Sequence, residues 1–266
     1  MTRFYYRLLP LMGIVLAFTA CGGSGTEYAR AHQDQKAKDM LQGVWINAED
    51  GNPAIMAEGD TILYADTSSL PVQFWIYQDS LYLQGHALSR YLITKQAEHV
   101  FRFVNQGGDE VKLVKRDERV LGRFFHQYRP YALNIFRTLD CDTVGVGGGI
   151  NYACKIHIEP TSDRLIASSF NNEGIEVENM YLDNDARLDV HVGAKNIYSH
   201  HFRKQEFSSM VPPEFMEKSI LRDIQYNHAD TAAVYFDAII GIPDASSAYV
   251  VELKVTKDGK LTKRLR

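Results

Sequence analysis

The sequence has little cysteine, no apolar run long enough to span a bilayer and no excess of basic residues. Three cysteines occur in 266 residues, at positions 21, 141 and 154, and none form a C-x-x-C pair, which excludes a dithiol redox motif of that type. The apolar run Leu8 to Ala20 has 13 residues and is interrupted by Pro10 and Gly13, whereas crossing a bilayer takes about 20. Lysine and arginine number 29 against 33 acids, a formal charge of −4. A nucleic-acid partner needs a basic stripe, and none is expected. Neither G-x-S-x-G nor H-E-x-x-H occurs. "GVGGGI" at 145–150 is followed by no lysine at P-loop spacing and by no helix, so it reads as a turn and not as a phosphate-binding loop. These absences favour a protein that is not an enzyme and carries no cofactor. The alternative is a hydrolase or metal-dependent enzyme whose site is assembled from several strands.

The amino terminus is informative. Arg3 and Arg7 precede the apolar run, no acid appears before Glu27, and small residues lead to Cys21. Residues 1–20 thus read as a cleaved secretory signal. Without them the count becomes 27 basic against 33 acidic residues, a charge of −6. Thr19, Ala20 and Cys21 resemble the lipobox of bacterial lipoproteins, with Phe18 standing where that motif usually has leucine. The resemblance implies that Cys21 becomes the acylated first residue. Each buried methylene contributes about 0.8 kcal/mol, so two or more chains hold a folded domain at a membrane. Residues 21–40 are small and polar, and as a flexible tether would reach roughly 25 Å, with a short helix possible near Met40. No acidic cluster follows Cys21, a feature that resembles a surface-export signal in Bacteroidetes lipoproteins. The expected location is therefore the cell envelope, on the periplasmic face rather than the cell surface.

Beyond the tether the chain reads as mainly β, in two antiparallel domains. Aromatics make up 11% of the residues, with 15 tyrosines, a bias toward strands. Residues 41–117 contain runs such as "TILYAD", "PVQFWIYQDSLYLQG", "HVFRFVN" and "EVKLVKR" divided by turn signals, a meander that closes into a barrel or packs on itself. The opening "LQGVW", with Gly43 and Trp45, is similar to lipocalin-like modules of Bacteroidetes lipoproteins, where Gly-x-Trp closes the bottom of a small barrel. A filled interior is expected rather than a ligand cavity. Residues 118–139 break the alternation with helical spacing up to Pro130 and read as a helical or irregular connector. Residues 140–266 return to strands with one short helix at "VPPEFMEKSIL" and read as a sandwich-like domain, with "NNEG", "DNDA" and "GAK" as turns. The motifs "FRKQEF", "FMEKSIL", "FDAIIGIPD" and "VELKVTKDGKL" resemble the second part of an uncharacterised family of Bacteroidetes lipoproteins. That resemblance implies location and fold and transfers no site residues.

Few side chains suggest chemistry. If Gly147 and Gly148 form a two-residue hairpin loop, Cys141 lies directly opposite Cys154 in a non-hydrogen-bonded pair. Such pairs bring Cα atoms to about 4.5 Å, close enough for a structural disulfide. His191 and His201 are weak metal candidates, because His200 and His201 point to opposite faces of a strand and a zinc site needs three or four converging ligands. Asp183, Asp185 and Glu178 do not fit the calcium-loop pattern, which would place its glycine at Leu188 and its glutamate at Ala194. In "QFWIYQDSLYLQ" both strand faces are apolar, which fits a strand pair buried on both sides or an aromatic contact surface. The expected partners are the membrane, through the lipid on Cys21, and an unidentified ligand or envelope protein.

Overall fold

The computed structural model describes residues 24–66, 68–126 and 131–266. It begins with helices α1 (Ser24–Ala31) and α2 (Gln35–Leu41). Eight strands follow: β1 (Gly43–Asn47), β2 (Pro53–Glu58), β3 (Thr61–Tyr64), β4 (Val72–Tyr77), β5 (Ser80–Gln84), β6 (Leu88–Ala97), β7 (Val100–Val104) and β8 (Glu110–Arg116). Each pairs antiparallel with the next and β1 pairs with β8, so they form a closed barrel. Its interior is packed with Trp45, Phe74, Ile76, Leu83, Tyr91, Phe101 and Phe103.

Both barrel ends are closed. At one end Leu41 of α2 enters the core and accepts the Trp45 indole N–H at 2.7 Å. The Lys115 ammonium lies over the Trp45 ring and donates to the Met40 carbonyl at 2.9 Å. The segment read from sequence as a tether is thus helical from Ser24 and packed against the barrel. Helices this short are marginal alone and depend on packing for stability. Asp34 caps α2 by accepting from the Ala37 N–H at 2.9 Å. Helix α1 covers the outer face of β4: Tyr28 meets Tyr77 edge-on and the Arg30 guanidinium lies over Trp75. Strand β4 is therefore buried on both faces at Phe74, Trp75 and Ile76, while Tyr82 of β5, stacked on Trp75 at 5.4 Å, is half-buried.

The connector contains two single-turn helices, α3 (Glu118–Leu121) and α4 (Arg123–His126). Strands β9 (Leu139–Gly147), β10 (Ile150–Phe170), β11 (Glu176–Val192) and β12 (Lys195–Arg203) form one sheet in the order β12-β11-β10-β9. Helix α5 (Pro213–Met216) precedes β13 (Ile220–Ala229), β14 (Ala233–Gly241), β15 (Ala248–Thr256) and β16 (Leu261–Leu265), a second sheet in sequence order. The two sheets enclose a core that includes Tyr152, Ile156, Leu188, Phe202, Phe236 and Leu253.

The β10–β11 hairpin is far longer than the sequence suggests. "DNDA" at 183–186 is continuous strand and not a turn, because its polar side chains find partners outside their own strand. The buried Asp183 carboxylate accepts the Leu221 N–H at 2.8 Å, and Asn184 donates to the Leu221 carbonyl at 2.8 Å. The hairpin tip leaves the sandwich and stoppers the other barrel end: Ile175 and Val177 belong to the barrel core. The Glu178 carboxylate accepts the His86 and Ala87 N–H groups, and Tyr91 receives the Glu176 N–H at 2.8 Å.

Candidate functional site

After α4 the chain crosses the sandwich from one sheet edge to the other. Leu133 N–H donates to the Met180 carbonyl at 2.8 Å, and the Asn134 side chain exchanges hydrogen bonds with the Leu182 backbone at 2.7 and 2.8 Å. This ties the crossover to the edge of β11 that β12 leaves unpaired. Five residues later Leu139 pairs with Ile158 on the far side of β10. The crossover therefore roofs the end of the sandwich and leaves beneath it a cleft of about 280 Å³.

Three kinds of surface line this cleft. Leu133 and Leu139 of the crossover, Ile158 of β10 and Ile220 of β13 supply apolar walls. Asn134 and Asn184 are polar but already committed to backbone groups. Arg137, Arg222, Tyr181 and Asp244 carry the charge and the hydroxyl. The buried Tyr181 phenol donates to the Asp244 carboxylate. Burial raises the Tyr181 pKa, and the neighbouring carboxylate adds to the effect.

The charged side chains are aimed by irregular backbone. In the β13–β14 ladder Leu221 pairs with Ile240 and Asp223 with Ile239, which leaves Arg222 as the bulged residue. A bulge redirects its side chain out of the regular alternation. This bulge is fixed from the facing sheet, since Asp183 and Asn184 hold both backbone groups of Leu221. The Arg222 guanidinium lies over Gly241, where an added Cβ would come within 2.9 Å of Cζ. Arg222 also donates to the Ala245 carbonyl at 3.0 Å. Asp244 has φ +54° in the β14–β15 turn, a left-handed conformation that aspartate tolerates better than most residues.

The residues singled out from sequence lie elsewhere. Cys21 is outside the described residues. The hairpin turn uses Gly148 and Gly149, both at positive φ, with Gly147 opposite Ile150. The turn is therefore one residue further along than expected, which moves every cross-strand partner by two. Cys141 faces Ile156, Cys154 faces Thr143, and both thiols are free. Cys154 is buried, which pushes its pKa up to about 11 and keeps it protonated. His201 stands opposite Arg187, four residues along β11 from His191, or about 13 Å at strand rise. His201 instead hydrogen-bonds Asp185 at 2.7 Å, so these two histidines do not share a metal. His200 faces Glu206 at 3.1 Å, and Lys263 holds the same carboxylate at 2.8 Å. Burial raises the Glu206 pKa, but these bonds outweigh it and leave the pKa below the usual glutamate value. Glu178, Asp183 and Asp185 each serve a separate contact. Among the described residues no group of three or more His, Cys, Asp or Glu side chains is placed to hold a metal.

Reading the sequence for motifs missed the cleft. "GIPD" was legible as part of a packing pattern, but nothing in it marked Asp244 as the partner of Tyr181. Arg222 and Arg137 carried no signal, because a bulge and a crossover bring them together.

The chain is thus a mainly β protein, an eight-stranded antiparallel barrel stoppered by the hairpin of a two-sheet sandwich that carries a cleft at its roofed end. Residues 123–263 match the family described as a domain of unknown function (DUF4738), and the chain belongs to that family. Every residue lining the cleft falls within the matched span. Among curated proteins none matches the chain.

Proposed function

We propose that this is a lipid-anchored binding protein of a Bacteroidetes-type cell envelope, with a lipocalin-like barrel and the crossover cleft as its ligand site. The observation that carries the binding role is the cleft itself. Its apolar walls and polar groups converge, and the backbone departs from regular strand geometry at two of its charged residues, Arg222 and Asp244. Concave sites that combine apolar lining with a few placed polar groups are where small ligands bind. The lipobox-like sequence at Cys21 supports the anchor. Helix α1 begins three residues after Cys21 and packs on β4, so an acylated terminus would hold the barrel close to the bilayer, with the periplasmic face favoured.

Replacing Cys21 with serine tests the anchor. The processed variant is expected to move from the membrane pellet to the soluble fraction, and a variant that is processed and still pellets like the parent refutes the anchor. The binding role is checked on the mature chain carrying Cys21→Ser, with methyl NMR and three probes: 3-phenylpropanoate, 3-phenylpropan-1-ol and 3-phenylpropylamine. At least one is expected to shift the methyl signals of Leu133, Leu139, Ile158 and Ile220 while those of Ile62 and Leu83 inside the barrel stay still. No shift in any cleft methyl with any of the three would rule out this reading.

A further inference from the structure

The charges lining the cleft do not balance. Arg137 and Arg222 supply two positive charges and Asp244 one negative. The arginine ion pairs among the described residues are those of Arg102, Arg119, Arg187, Arg203, Arg264 and Arg266, so among the described residues no carboxylate neutralises either cleft guanidinium. Arg222 is half-buried, and its recorded side-chain hydrogen bond goes to one carbonyl, Ala245. A guanidinium has five N–H donors in a planar fork, which leaves Arg222 with donors to spare beside an apolar wall. The one acid in the cleft is already engaged by the Tyr181 hydroxyl.

Resting on the reading of this cleft as the ligand site, we propose that its ligand is a small monocarboxylate with a short apolar body. The carboxylate is held between Arg222 and Arg137, and the apolar part lies against Leu139, Ile158 and Ile220. The geometry of guanidinium and carboxylate favours paired, charge-assisted hydrogen bonds. The choice of a single charge follows from the residues present. One carboxylate neutralises the net positive charge of the lining, whereas the second charge of a phosphate dianion would face Asp244 without a cation to match it. An ammonium would meet two guanidiniums. The fixed bulge and the seat over Gly241 hold Arg222 in place before the ligand arrives, which reduces the ordering cost of binding.

The three phenylpropyl probes differ only in their polar end and so separate the two claims. The carboxylate is expected to bind at least tenfold more tightly than the alcohol, and the amine more weakly than either. Arg222→Gln keeps an amide donor for the Ala245 carbonyl, and Arg137→Gln changes an exposed residue. Each is expected to shrink the preference for carboxylate over alcohol at least threefold, with the barrel methyl spectrum unchanged. Alcohol and carboxylate binding equally, or the amine binding best, overturns the anion assignment and leaves the cleft as a site. A carboxylate preference that survives both substitutions overturns the assignment of the two arginines. Probes that shift no cleft methyl overturn the site itself.

Discussion

Replacing Ile175 with aspartate will loosen the barrel and leave the sandwich folded. Ile175 is 2% exposed and sits at the tip of the β10–β11 hairpin, inside the core of a barrel to which its own strands do not belong. An aspartate there is an unpaired charge in an apolar mouth, at a cost of about 3–5 kcal/mol. The loss should fall on the barrel, because the sandwich core is a separate cluster that contains neither Ile175 nor Val177. The chain carries its own reporter, since both of its tryptophans, Trp45 and Trp75, are buried in the barrel strands. In a urea titration, tryptophan emission should shift to the red at lower denaturant than in the parent. Amide protection in β14 and β15 should persist beyond that point. Ile166→Asp is the control: this residue lies on the same hairpin but is exposed, and the substitution should leave the emission transition in place. Coincident loss of barrel and sandwich signals in Ile175→Asp would mean that the two units unfold as one body.

That stopper was hidden in the sequence for a reason that particular residues make plain. Alternation located most strands, because one face of each meets a core: Leu188 and Val190 point inward and Arg187 points outward. The same logic fails where a polar side chain is needed inside. Asp183 and Asn184 read as turn formers because aspartate and asparagine bond local backbone in turns. Here they bond the backbone of Leu221 instead, 37 or 38 residues away in the chain. Such partners are set by tertiary packing and leave no local trace. The cleft was illegible for the same reason. Arg222 reads as an ordinary strand residue, and only the capture of Leu221 by the opposite sheet turns it into a bulge. The segment before the barrel departs in the other direction: the short helix near Met40 is there as α2, and α1 was not foreseen. "GTEYARAHQDQKAKDM" has the composition of a linker, yet buried Ala29, Ala37 and Leu41, with Tyr28 on Tyr77 and Arg30 on Trp75, seat two short helices on the barrel.

The glycine run at 147–149 separates two roles that sequence alone merges into one turn. Gly149 has φ +79° with nothing within 4 Å of an added Cβ, so Gly149→Ala meets only backbone strain. A left-handed alanine costs about 1 kcal/mol, partly offset by the lower entropy of the unfolded alanine chain. Gly147 is the opposite case. No positive φ restricts it, but an added Cβ would lie 2.2 Å from the Asp230 carbonyl oxygen and 2.6 Å from the Asp230 nitrogen. These are backbone atoms at the β13–β14 turn, where Asp230 donates to the Ala233 carbonyl at 2.9 Å and its carboxylate accepts the Ala232 and Ala233 N–H groups. The turn is braced and has little freedom to retreat. Gly147→Ala must therefore push the edge of one sheet away from the other, an overpacking cost of about 3 kcal/mol. Urea unfolding of the two variants, followed by far-ultraviolet circular dichroism, should give a clearly lower midpoint for Gly147→Ala than for Gly149→Ala, at unchanged slope. The reverse order would mean that the run acts only as a turn and that β9 does not press on Asp230. With the order as expected, Gly147 is kept for the close approach of two sheets and Gly149 for the reversal of the chain, while Gly148, at φ +57° with an added Cβ 2.8 Å from Thr231 Cα, serves both.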